Sequence, residues 1–121
     1  GEKFVSEKGS ITLVSGSPAR KYKVGSSSLS CTGGAVEAFI KAVAIEIAPK
    51  RINGVSPGLI ETAMWDAFGD EKQQKLADMT ANIPLARVGQ PEEVANGIIF
   101  AMTTTYATGT IVDVEGGTLL S

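Results

Sequence analysis

The stretch Arg51-Ile-Asn-Gly-Val-Ser-Pro-Gly58 decides how this 121-residue chain is read. Residues 51 to 56 have the short, partly β-branched character of a strand, and the Pro57-Gly58 pair closes it, because proline cannot extend a ladder and glycine permits a sharp turn. Directly before it lies the strongest periodic signal in the chain. Val36, Phe39, Ile40, Val43 and Ile47 recur at helical spacing and predict one apolar helix face, with Thr32 or Ser30 as its cap and Pro49 as its stop. Ala35, Ala38, Ala42, Ala44 and Ala48 lie between them and make the helix slim enough for close packing.

Working outward, Ser10-Ile-Thr-Leu-Val-Ser15 is bounded by Gly9 and Gly16 and reads as an earlier strand. Pro18, Gly25 and the Ser26-Ser27-Ser28 run make Ser17 to Cys31 loop-like. On the other side, a helical turn is expected over Glu61 to Phe68, then a polar helix from Glu71 to Ala81 capped by Asp70, with Pro84 breaking the pattern. Gln90-Pro91-Glu92-Glu93 opens the next helix: proline at the first position loses no hydrogen bond, and the glutamates complement the positive end of the dipole. Val94, Ile98, Ile99 and Met102 form its expected apolar stripe, and Thr110-Ile-Val-Asp-Val114 is a last strand ending at Glu115-Gly116-Gly117. The order of strand, helix, strand, helices and strand is that of an α/β fold with parallel strands and crossover helices. Three such strands leave a sheet edge open, so the chain is expected to belong to a larger domain or to pair with another polypeptide.

Composition removes several chemistries. There is no histidine and one cysteine, which excludes Ser-His-Asp and Cys-His nucleophile pairs, His-containing zinc sites and an intrachain disulfide. Eleven Lys+Arg against 13 Asp+Glu leave a net charge of −2, which speaks against a nucleic-acid partner. The basic clusters Arg20, Lys21, Lys23 and Lys50, Arg51 read as solvated loop charges. With 43% hydrophobic residues the chain can bury a core. Of the 14 glycines, Gly9, Gly16, Gly25, Gly33, Gly34, Gly58, Gly109, Gly116 and Gly117 lie between apolar runs and punctuate secondary structure. Gly1 to Gly9 carry no apolar signal core and no run reaches the roughly 18 consecutive apolar residues of a span, so a cytoplasmic protein without a membrane partner is expected.

The segments in order resemble the C-terminal half of the short-chain dehydrogenase/reductase family. The resemblance is carried by Gly9-Ser-Ile-Thr-Leu-Val-Ser15, Ala35-Val-Glu-Ala-Phe39, Ala44-Ile-Glu-Ile-Ala-Pro49, Ile52-Asn-Gly-Val-Ser-Pro-Gly58, Pro84-Leu-Ala-Arg-Val-Gly-Gln-Pro-Glu-Glu-Val94 and Val114-Glu-Gly-Gly117. It implies a Rossmann-like, doubly wound parallel sheet that binds NAD or NADP at the carboxyl ends of its strands. Residues 1–121 would then be the C-terminal portion of a single domain, holding its last three strands. No GxGxxG-like pyrophosphate loop occurs in these residues, so the dinucleotide-binding N-terminal half would lie outside this chain.

The family resemblance also implies a catalytic Ser and a Tyr-x-x-x-Lys pair, in which the ammonium lowers the phenol's pKa so that it can exchange a proton with the substrate oxygen. In this sequence Gly16 falls on the Ser position, Leu29 on the Tyr and Gly33 on the Lys, so no catalytic residue is intact. Ser15, Ser17 and Tyr22 are the neighbours that could stand in. Cofactor contacts are carried over better: Pro57 and Gly58 form the turn, the Ile60 backbone would meet the nicotinamide carboxamide, and Thr62 would bond to the carboxamide or pyrophosphate. A strand-to-helix turn needs Pro and Gly in any case, so this motif has a purely structural reading as well. Met64, Trp65 and Phe68 match the family's mobile lid or are core packing. Ser26, Ser27, Ser28 and Thr32 before Gly33-Gly34 are either helix caps or an anion site at a helix start.

The resemblance therefore implies an NAD(P)-dependent oxidoreductase acting on a small carbonyl or alcohol, with a non-catalytic binding or scaffold protein on the same fold as the alternative. A free-standing anion-binding module built on Gly33-Gly34 is a third reading. A homodimer or homotetramer is expected, joined through the helix from Ala35 to Ala48 and the last strand.

Overall fold

A computed structural model describes residues 2–121. Its three strands, β1 (Ser10–Val14), β2 (Arg51–Pro57) and β3 (Ile111–Val114), form one sheet in the order β1-β2-β3 with every pair parallel. The helices are α1 (Ser27–Glu46), α2 (Lys72–Thr80) and α3 (Pro91–Thr103), with short 3-10 segments at Glu2–Phe4, Ser17–Ala19, Ala63–Glu71 and Thr118–Leu120. Strand β2 is central, and Arg51 through Ser56 are all buried. Its register places Leu13 opposite Gly54 on one side and Ile111 opposite Gly54 on the other.

Alternation along β2 sends its residues to two faces. On one face Ile52 joins Ile40 and Ala44 of α1, with Ile11, Leu13 and Ile111 packed around them. On the other, Val55 lies beneath Gly97 of α3. Both helices approach closely because the contact positions are glycine: a Cβ on Gly54 would stand 2.6 Å from the Ile40 Cδ1, and one on Gly97 would stand 2.9 Å from the Val114 Cγ2. Arg51 and Asn53 hold the far end of α3. The Arg51 guanidinium donates to the carbonyls of Ala101, Met102 and Ala107 at 2.7–3.0 Å, capping the negative end of the helix. The Asn53 amide donates to Ala107 O and accepts from Thr110 N.

Several expectations need correction. Helix α1 begins at Ser27, so residues 27–31 are helical rather than loop, and neither Ser30 nor Thr32 is the cap. Thr32 instead donates back to the carbonyls of Ser28 and Leu29. Gly33-Gly34 consequently lie inside the helix with their N–H groups in its ladder, which removes the anion site at a helix start. The buried stripe of α1 is Gly33, Glu37, Ile40 and Ala44, while Phe39 is 54% exposed. In α3 the buried residues are Gly97 and Ala101, and Ile99 and Met102 face outward. Both helices bury small residues because they sit close to the sheet. The helix expected from Glu71 divides into a 3-10 segment through Glu71 and an α-helix from Lys72, so Asp70 is not its cap. Arg51 is a buried structural cation, and Lys50 bonds to Glu2, so that pair is not a set of solvated charges. By length and apolar composition α1 could cross a bilayer. In the fold it carries the main core contact instead, with Ile40 fully buried against the sheet.

Candidate functional site

The carboxyl ends of the three strands carry two clefts. The smaller, about 200 Å³, is lined by Gly16, Leu29 and Gly33 together with Val14, Ser15 and Pro18. Gly16 lies beyond the end of β1, while Leu29 and Gly33, four residues apart on α1, share a face. The three positions at which the family resemblance implied Ser, Tyr and Lys therefore converge on one slot, and none offers a side chain that can move a proton. Gly33 is packed hard, since a Cβ there would stand 3.0 Å from the Ala19 Cβ.

Among the stand-ins, only Ser15 lines this slot. Its Oγ donates to Glu37 Oε1 at 3.0 Å. Ser17 opens the 3-10 turn, where its carbonyl accepts from Arg20 N and Lys21 N, and Tyr22 is 76% exposed and lines neither cleft. Glu37 is buried one turn beyond Gly33, and its second oxygen meets Arg20 Nε at 3.3 Å. Arg20 also forms a two-pronged pair with Asp113 on β3, and these two carboxylates, Asp113 foremost, raise the guanidinium pKa above its usual value. Ser15, Glu37, Arg20 and Asp113 thus tie the end of β1 to α1 and β3. Sequence reasoning missed this chain because it read Arg20 as a loop charge. The signal that could have found it was the i, i+4, i+7, i+11 stripe 33-37-40-44, which a count of apolar residues rejects because it contains glycine and glutamate.

The larger cleft, about 420 Å³, is lined by Leu59, Ile60, Leu85, Gly89, Glu115 and Gly116 among others. Its wall is the turn after β2. Gly58 N donates to Val114 O at 3.0 Å, and a Cβ on Gly58 would stand 2.7 Å from the Glu115 Cα, so the turn requires glycine. Ile60 then bridges Gly89: Gly89 N donates to Leu59 O and Glu61 N to Gly89 O, both at 2.9 Å. The Ile60 carbonyl accepts the Trp65 indole N–H at 2.8 Å. Among the described residues the Ile60 N–H meets no backbone acceptor, and Thr62 precedes a 3-10 helix without using its hydroxyl as a cap. One amide donor and one hydroxyl are left available on a rigid turn, a set that suits an amide-bearing ring such as nicotinamide.

The Arg87-Val-Gly-Gln-Pro-Glu-Glu93 motif braces that turn. Arg87 grips Glu93 with two bonds at 2.8 and 3.0 Å, and Glu93 also accepts from Gln90 N at 2.8 Å, which fixes the segment carrying Gly89. Arg87 first and the Gln90 N–H second hold the Glu93 carboxyl down to about 2. On the facing side, Glu61 is lowered by bonds from Gln90 and then Lys72, and Lys72 is raised by Asp66 and Glu61. Trp65 and Phe68 stack with ring centroids 5.7 Å apart beside this network, with Lys75 over Phe68.

Comparison with known proteins agrees with this architecture. A family model described as enoyl-(acyl carrier protein) reductase matches residues 1–118. A short-chain dehydrogenase/reductase of Stachybotrys chlorohalonatus is 39% identical over 113 residues, covering 93% of this chain and 45% of that protein. A small-chain dehydrogenase in complex with NADPH superimposes on all of this chain and 56% of its own, with a TM-score of 0.92 and 34% identity. An NADPH-bound short chain oxidoreductase of Pseudomonas aeruginosa PAO1, described as containing an atypical catalytic center, covers 96% of this chain and 47% of its own with a TM-score of 0.83 and 31% identity. The chain belongs to the short-chain dehydrogenase/reductase family. It spans about half the length of the curated relatives it matches.

Proposed function

We propose that this chain is the substrate-side, C-terminal portion of a single NAD(P)-binding domain, and that the domain is an oxidoreductase working without the family's Ser and Tyr-x-x-x-Lys residues. The observation that carries this is the turn after β2, where Ile60 lines a 420 Å³ cleft with its N–H free of backbone acceptors; Thr62, two residues on, lies outside the cleft lining with its hydroxyl not used as a cap. In this reading Ile60 and Thr62 hold the carboxamide of a nicotinamide, and Gly58 keeps the backbone flat against β3. The bound cofactor supplies hydride chemistry; this chain binds, orients and excludes water. Support comes from the NADPH complexes of two similar structures, one of them with an atypical catalytic center.

A second reading, a binding or scaffold protein on the same fold, is favoured by the absence of a proton donor at Gly16, Leu29 and Gly33. Titration of NADH and NADPH by fluorescence against the longest product of the gene, followed by a screen of aldehydes, ketones and alcohols, separates them. Binding with turnover is expected. Binding without turnover selects the scaffold reading, and failure of both cofactors to bind overturns the proposed cofactor site. The same proposal includes action in the cytoplasm and assembly into a homodimer or homotetramer through the exposed faces of α1 and β3.

A further inference from the structure

The slot at Gly16, Leu29 and Gly33 holds two side-chain hydroxyls, and both have their protons committed elsewhere. Thr32 lines the slot, and its Oγ1 donates to the Ser28 carbonyl at 3.0 Å and the Leu29 carbonyl at 3.2 Å. Ser15 donates to Glu37 Oε1. That direction is forced, because a carboxylate only accepts hydrogen bonds and a guanidinium only donates, and Arg20 occupies the other oxygen of Glu37. Each hydroxyl is left with lone pairs to offer. Around them the walls are apolar, from Val14, Pro18, Leu29 and Val36.

We propose that this slot binds a small apolar ligand through a hydrogen-bond donor, an alcohol hydroxyl pointing at Ser15 Oγ, and discriminates against the corresponding carbonyl compound. A family-type serine would present its proton to a carbonyl oxygen. Here Glu37 takes that proton, so a carbonyl oxygen entering the slot meets lone pairs on both hydroxyls. Such acceptor–acceptor contact gives the carbonyl oxygen no partner from the chain, whereas an alcohol gains one hydrogen bond. The inference deepens the oxidoreductase reading by naming the alcohol as the substrate form that the slot holds, and it rests on that reading only for turnover.

Glu37→Gln gives a sharp test. Arg20 can only donate, so the carbonyl of the substituted amide stays with Arg20 and its NH2 turns to Ser15. The Ser15 oxygen then accepts, its proton is freed into the slot where an alcohol or a ketone oxygen can take it, and the preference for the alcohol should be lost. Cyclohexanol and cyclohexanone, matched in size and shape, are titrated into the full chain while the amide signals of Gly16 and Gly33 are followed by NMR. Cyclohexanol should bind the wild type about 5-fold more tightly, the ratio expected of one net hydrogen bond. Glu37→Gln and Ser15→Ala should each level the two affinities. The inference is overturned if neither probe shifts the two glycines saturably, if the ketone binds the wild type as well as the alcohol does, or if a folded Glu37→Gln variant keeps the wild-type order. A separate NADPH titration of the longest product of the gene keeps the two readings apart. NADPH binding without alcohol preference sinks this inference alone, and alcohol preference without NADPH binding sinks the cofactor reading alone.

Discussion

The turn after β2 and the slot beyond β1 lie at the same edge of the sheet, yet they are built differently. Around Gly58 nearly every group is used: its N–H is bonded to Val114, the Glu115 backbone leaves no room for a Cβ, and Ile60 is held by Gly89 and Trp65. At Gly16 a Cβ would meet nothing nearer than Pro18 Cδ at 3.5 Å. A side chain that works by projecting into a cleft can be lost without disturbing its neighbours. A turn that works through its backbone is part of the fold, and replacing it disturbs β2 and β3 together.

The largest test of that contrast is Gly58→Ala, which drives a Cβ into the Glu115 backbone and should cost roughly 1–3 kcal/mol, read from the urea midpoint. A loss below about 0.5 kcal/mol, at the level of ordinary surface changes, would show the turn to be as permissive as the slot. Next is the brace at Arg87 and Glu93. The Glu93 carboxyl titrates at about 2 in the fold, below its ordinary value, so its contribution is present above the unfolded value and is lost as pH falls from about 4.5 toward 2. Arg87→Met should lower the melting temperature modestly at pH 7, and the gap to wild type should close as pH approaches 2. A gap independent of pH would mean that Arg87 acts by packing alone. The smallest effect is expected of Gly16→Ser, within about 0.5 kcal/mol by the same urea measurement, since its Cβ has room.

Much of the fold was legible in the chain. Short β-branched runs closed by Gly and Pro marked three strands at nearly their observed limits, and Gln90-Pro91 marked the start of α3 within a residue. Helix faces were less legible. A count of large apolar side chains chooses Phe39, Ile99 and Met102, while the sheet is met by Ala44, Gly97 and Ala101, because close approach favours small residues. The start of α1 is hidden for a related reason: Ser27, Ser28 and Ser30 are weak helix formers by themselves, and the packing of the helix on the sheet carries them into its first turns.

What the sequence by itself determined is the alternation of elements, the parallel sheet it requires and the Pro57-Gly58 turn. These are local or ordered along the chain, so spacing suffices to read them. Only the tertiary structure decided that Ser15 gives its proton to Glu37, that Arg20 joins Glu37 to Asp113, and that Gly89 pairs with Ile60. Those partners are 22, 93 and 29 residues apart, and no local pattern encodes which distant charge or carbonyl will face a given side chain once the sheet has formed.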